Sequence, residues 1–191
     1  MRYIFILQML FLTAMPGIVA QQLVKKYTAK GIEIKCLNDG KIELDEKGHV
    51  LACTLAENQY FFNGKNAAVY CRAKYPVQFF PSGVLKTAFL SRDQVFFNGR
   101  YQEIYLLQGR KVEFYENGTL KSGFLNRNQI FQNGRKQDVS CLMGTKIVFY
   151  PSGNVQFCTL DSNHKFYNRN KKAFLYHKNE VVFLTDQGFI N

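Results

Sequence analysis

Five cysteines occupy only two places in a repeating pattern. Cys36, Cys71 and Cys141 share one place, where Leu106 stands in the remaining copy; Cys53 and Cys158 share the other, where Ala88 and Gly123 stand. The interval from Cys36 to Cys53 equals that from Cys141 to Cys158, and the copy that has Leu106 in the first place has Gly123 in the second. Joint presence and joint absence is the behaviour of a bonded pair. The spacing predicts disulfides Cys36–Cys53 and Cys141–Cys158, each worth about 2–4 kcal/mol, with Cys71 left facing Ala88. Two alternatives stay open: a Cys36–Cys71 bridge between adjacent copies, and cysteines that serve only as small buried apolar residues. A bridge needs Cα atoms within about 7 Å, and the strand Lys41–Asp45 intervenes between Cys36 and Cys53. Alternate strands of one flat sheet lie about 9–10 Å apart. A Cys36–Cys53 bond therefore requires the sheet to curl or fold over.

The second chemical signal is cationic. A basic residue follows three of the Asn-Gly pairs, those at Asn63, Asn98 and Asn133: Lys65, Arg100 and Arg135, with Lys30 at the equivalent place in the first copy. If copies stack in order, these four form a stripe able to engage phosphate or carboxylate, which arginine grips with two parallel hydrogen bonds. Lys86 and Lys121 form a shorter column of the same kind. The competing reading is a solvated turn whose charges blunt exposed strand edges.

Other chemistry is absent from the pattern. His49, His164 and His177 are scattered, and no CxxC, HxH or HExxH spacing occurs. There is no GxSxG nucleophile motif and no glycine-rich phosphate loop leading into a helix. Carboxylates fall mostly at turns: Asp45, Glu46, Glu116, Asp161 and Asp186. The residues imply neither an enzyme, nor a metal, nor a cofactor. Asn117-Gly118-Thr119 matches a glycosylation sequon, which matters only in a eukaryotic secretory route.

The elements that would position these residues repeat with a fixed period. Gly48, Gly83, Gly118, Gly153 and Gly188 lie 35 residues apart without insertion or deletion. Around them the runs from Ile42, Val77, Val112 and Ile147 alternate β-branched or aromatic residues with polar ones, then meet turns such as Pro81-Ser82-Gly83 and Pro151-Ser152-Gly153. Proline presets φ and glycine accepts positive φ, so each run reads as strand–turn–strand. A second signature places Asn63-Gly64, Asn98-Gly99 and Asn133-Gly134 between further alternating runs. Asn-Gly is the strongest two-residue hairpin signal, because a type I′ turn needs positive φ at both central positions. Phe61, Phe96, Phe131 and Phe166 recur in register, as do Leu55, Leu90, Leu125 and Leu160. Recurrence within one chain means one local environment rebuilt in every unit, and these columns are expected to be core between successive units.

The segments around Phe114-Tyr115, Asn117-Gly118 and Leu120, repeated at Phe149-Tyr150, Gly153 and Val155 and at Phe79-Phe80, Gly83 and Leu85, resemble MORN-type repeats. They resemble still more the FYxNGxL repeats of bacterial proteins labelled as antitoxins. The likeness covers about half of each unit; the Asn-Gly hairpin lies outside it. It implies an antiparallel hairpin array with a scaffolding or lipid-binding role and no catalytic residues.

Residues 1–20 read as a signal peptide: Arg2, then an apolar run from Tyr3 to Met15, then small residues to Ala20. Residues 21–191 follow as a single β-repeat domain. The formal charge is +11, and about +10 without Arg2. Export, basic charge and paired cysteines together predict a periplasmic, outer-envelope or extracellular protein. The expected fold is all-β, a curved meander of short antiparallel hairpins, with a five-bladed propeller and a β-solenoid as alternatives. The expected function is non-enzymatic binding or scaffolding, with another protein or an anionic envelope polymer or lipid surface as partner and no nucleic acid. A lectin-like or small-ligand-binding propeller is the alternative.

Overall fold

A computed structural model describes residues 23–65 and 67–190. The proposed signal peptide lies outside them. The described residues form nineteen short strands and no helix, so none is long and apolar enough to cross a membrane.

Nine strands make one antiparallel sheet. In spatial order they are β3 (Glu43–Leu44), β4 (Val50–Thr54), β7 (Pro76–Phe79), β8 (Leu85–Phe89), β11 (Lys111–Phe114), β12 (Leu120–Phe124), β15 (Lys146–Phe149), β16 (Val155–Thr159) and β19 (Val181–Phe183). Spatial order follows chain order, as in a meander. β3 and β19 lie at opposite edges and do not pair, so the sheet is open rather than a ring of blades. The same register shift recurs beside Leu44, Phe79, Phe114 and Phe149. A β-bulge placed identically in four units is a built feature of the repeat.

The remaining ten strands pair as five separate ribbons: β1 (Leu23–Tyr27) with β2 (Glu33–Leu37), β5 (Gln59–Phe62) with β6 (Ala68–Cys71), β9 (Gln94–Phe97) with β10 (Glu103–Leu106), β13 (Gln129–Gln132) with β14 (Asp138–Cys141), and β17 (His164–Tyr167) with β18 (Ala173–Tyr176). All but the first connect two sheet hairpins, and the ribbons fold back over the sheet. Period-2 alternation gives each one buried and one exposed face. Phe61 and Val69 are buried while Tyr60 and Phe62 are exposed.

The core lies between these two layers. The ring of Phe61 meets that of Phe79 edge-on at 5.2 Å, Phe96 meets Phe114 at 5.4 Å, and Phe131 meets Phe149 at 5.2 Å. The leucine column stitches the layers at their ends through single bridges: Cys36 with Leu55, Cys71 with Leu90, Leu106 with Leu125, and Cys141 with Leu160. Phe61, Phe96 and Phe131 are therefore rungs between ribbon and sheet, not fillers between units stacked in one layer; Phe166, also buried, meets Tyr176 of its own ribbon at 5.6 Å.

Two layers also reconcile the meander with the disulfide. Cys36 is on ribbon strand β2 and Cys53 on sheet strand β4; they are bonded, with Cα atoms 5.9 Å apart. The neighbours of β4 within the sheet are β3 and β7. Cys36 reaches Cys53 from the layer above instead of across an intervening strand.

Candidate binding surface

The basic turn residues are placed by an unexpected loop. Asn63, Gly64, Asn98, Gly99, Asn133 and Gly134 do not adopt positive φ; Tyr101, Lys136 and Lys171, three residues after the asparagine, do. The Asn-Gly pairs are therefore not two-residue type I′ turns. In the third ribbon the Asn98 N–H donates to the Gln102 carbonyl and the Tyr101 N–H to the Asn98 carbonyl. This is the three-residue hairpin, a type I turn closed by one left-handed residue. The asparagine is needed for its side chain: Asn98 Oδ1 accepts from the N–H groups of Arg100 and Gln102, and Nδ2 donates to the Gly153 carbonyl. Asn63 and Asn133 repeat the set, with Nδ2 donating to Gly118 and Gly188.

The glycine is needed for space. A Cβ on Gly64 would lie 2.9 Å from the Gly118 nitrogen, on Gly99 2.6 Å from the Pro151 oxygen, and on Gly134 2.1 Å from the Asp186 oxygen. Each of these ribbon tips is pressed against the turn of a later sheet hairpin. In the first ribbon, Lys30 likewise abuts Gly83.

This contact orders the predicted cations. Lys30, Lys65, Arg100 and Arg135 each sit beside one of four successive sheet turns, those of Gly83, Gly118, Gly153 and Gly188. Successive turns are two strands apart, so the row repeats about every 9–10 Å. All four residues are exposed. Lys65 lies 5.4 Å over the ring of Tyr101, and Arg135 lies 4.6 Å over Phe189. Lys86 and Lys121 lie over the rings of Phe80 and Tyr115.

Sequence reasoning missed a second set of cations. Arg92 stacks 3.4 Å over Tyr70, and Arg127 stacks 3.2 Å over Tyr105. These are the same two places in adjacent units. The two columns vary together: Lys35 with Glu57, Tyr70 with Arg92, Tyr105 with Arg127, Ser140 with Ser162. The first pair is an ion pair at 2.6 Å. Joint variation of columns 22 residues apart was visible in the repeat, as the cysteine columns were.

Among the described residues Arg72, Arg92, Arg100, Arg110, Arg127, Arg135 and Arg169 make no ion pair; the pairs formed use Lys25, Lys35, His49 and Lys111. Arg72 and Arg110 also lie over rings, those of Tyr75 and Phe124. An aromatic face holds a guanidinium in place without consuming its N–H edge. Such an arrangement presents oriented donors to an anion.

The cysteines offer no nucleophile. Burial pushes the Cys71 thiol up to about 12, so it is protonated at neutral pH and inert. Cys141 and Cys158 are buried thiols. Burial and a hydrogen bond with Cys158 raise the pKa of Cys141. The second predicted pair is thus in contact but unbonded. His164 stands where Gln59, Gln94 and Gln129 stand in other units. Its Nε2 accepts the Ser140 N–H as those amide oxygens accept the N–H of Lys35, Tyr70 and Tyr105. Among the described residues no three His, Cys, Asp or Glu side chains gather where they could hold a metal. Compared with protein-family models and with curated proteins, the chain has no match.

Proposed function

We propose that this chain is an exported, non-enzymatic binding protein that attaches to an anionic surface of the cell envelope or extracellular space. The observation that carries the reading is the row Lys30, Lys65, Arg100 and Arg135: exposed, regularly spaced and outside every ion pair formed among the described residues. A pinned row of cations concentrates positive potential along one margin of the molecule and attracts polyanions. The buried Cys36–Cys53 bond fits an oxidising compartment and supports export. The likeness of the Phe-Tyr, Asn-Gly hairpins to MORN-type repeats supports a scaffold over a catalyst.

The test is co-sedimentation of the mature chain with anionic and with zwitterionic vesicles. The chain is expected to follow the anionic vesicles at low salt and to release as salt screens the contact. Changing Lys65, Arg100 and Arg135 together to Gln is expected to reduce binding at least tenfold. Unchanged binding by that triple variant would remove the row from the interface.

A further inference from the structure

A recess of about 500 Å³ opens between the ribbons β5–β6 and β9–β10, lined by Ala68, Tyr70, Arg92, Asp93, Tyr105 and Asn126 among others. Its wall carries Arg92 on Tyr70, and beside it Arg127 is stacked on the lining residue Tyr105. We propose that this recess binds an acidic polysaccharide: a linear glycan whose anionic groups meet Arg92 and Arg127 and whose hydroxyls enter the space between them. The proposal rests on the reading of the protein as an anion-binding module, and adds a site and a ligand class.

Three observations carry it. First, the recess is a repeated feature whose charge changes from unit to unit. The equivalent recess of the first unit, about 410 Å³, is lined by Glu33, Glu57, Asn58 and Gln59 where the second has Ala68, Arg92, Asp93 and Gln94. In the first unit the local cation, Lys35, is neutralised by Glu57 at 2.6 Å. In the fourth, the pair of places holds Ser140 and Ser162. At this pair of places, free stacked guanidiniums stand only in the two central units, which general solubility does not require.

Second, the one carboxylate in the central recess is already engaged. Asp93 Oδ1 accepts the Gln108 N–H and Oδ2 accepts Asn126 Nδ2. It does not pair with Arg92, so the guanidinium edge stays open to a ligand. Successive units lie about 9–10 Å apart. An extended chain with several charged sugars, not a single small anion, spans Arg92 and Arg127 together.

Third, the rest of the polar lining is neutral: Tyr70, Gln94, Tyr105 and Asn126 stand beside the arginine. Such groups exchange hydrogen bonds with sugar hydroxyls, whereas a phosphodiester offers acceptors alone. A nucleic-acid base has no open ring to stack on at the face of Tyr70 or Tyr105 that its arginine covers.

The experiment measures binding of the mature chain to labelled polygalacturonate, with neutral dextran, polyphosphate and anionic vesicles as comparisons. Polygalacturonate is expected to bind in preference to dextran and polyphosphate. Arg92→Gln with Arg127→Gln is expected to weaken that binding at least tenfold, while the Lys65, Arg100, Arg135 triple Gln variant changes it less than threefold. Arg92→Lys with Arg127→Lys keeps the charge and removes the planar fork; it too is expected to lose most of the affinity. Loss of polygalacturonate binding in the turn variant but not in the recess variants would overturn the recess and leave the broader reading standing. Polyphosphate binding as tight as polygalacturonate would overturn the glycan assignment. Failure to bind every anionic probe would overturn both readings.

Discussion

Asn98 Nδ2 donates at 3.1 Å to the carbonyl oxygen of Gly153, 55 residues away and in the other layer. The interval is one full repeat plus twenty residues, and it recurs from Asn63 to Gly118 and from Asn133 to Gly188. Each of these three ribbons therefore leans past its own sheet hairpin to lock onto a later one. The lock transmits the sheet's strand spacing to the ribbon tips, which is how Lys65, Arg100 and Arg135 come to stand in a row, with Lys30 added by its close approach to Gly83.

Removing that lock exposes its worth. Asn98→Ala strands two backbone N–H groups and one carbonyl at a buried site. The expected cost is about 2–3 kcal/mol, the scale of buried polar groups left unpaired, measured as a lower urea midpoint. A loss below about 0.5 kcal/mol would show that the tip contact is not structural.

Two glycines separate space from backbone conformation. Gly134 has no positive φ, but an added Cβ would meet the Asp186 carbonyl at 2.1 Å; Gly144 has φ +76° and open space around it. Gly144→Ala is expected to cost about 1–2 kcal/mol, the penalty of the left-handed region. Gly134→Ala forces two backbone segments apart and is expected to cost roughly 3 kcal/mol, the upper end of overpacking losses. Thermal or denaturant unfolding that ranks them in the opposite order would contradict the close approach.

The cysteine pairs predict an asymmetric chemistry. Non-reducing peptide mapping of the chain produced in an oxidising compartment is expected to find Cys36–Cys53, with Cys71 as a thiol that alkylates only after unfolding. Cys36→Ser with Cys53→Ser is expected to lower stability by about 2–4 kcal/mol. Cys141 and Cys158 repeat the 17-residue separation of Cys36 and Cys53. Refolding from the reduced, unfolded state in a glutathione disulfide buffer, which oxidises the thiols while they are still accessible, is expected to join them to each other before either joins Cys71.

His164 gives a pH dependence with a definite sign. Burial lowers its pKa below the ordinary 6.5, against a smaller opposing pull from Asp138. The neutral ring accepts the Ser140 N–H, a role the protonated ring cannot fill. The unfolded chain binds the proton more readily, so the contribution is complete above about pH 6.5 and is lost as pH falls through the folded pKa. His164→Gln restores the acceptor used in three other units. The difference in melting temperature between wild type and variant is expected to grow in favour of the variant between about pH 7.5 and pH 5. A constant difference would remove the histidine from the acid response.

The hairpins, the unit length, the core phenylalanines and the Cys36–Cys53 pair were legible in the chain because they are local or recur in register. A strand's faces follow from period-2 alternation, and a turn's glycine from its φ. The Asn-Gly pairs misled at one point: Asn98 and Gly99 look like a type I′ turn, yet each has its identity for contacts made to Pro151 and Gly153. No local rule contains that information.

What the amino-acid order determined by itself was the module: alternation, turn chemistry and a 35-residue period that oblige every copy to fold alike. What only the tertiary structure decided was how the copies overlap. Ribbon and sheet are two layers, their tips locked at an offset of 55 residues. That layering brings Cys36 to Cys53, aligns Lys65 with Arg100, and opens the recess beside Arg92. The physical reason is that a repeat specifies identical contacts without saying which copy makes them. Packing of the ribbons' buried faces across the sheet makes that choice.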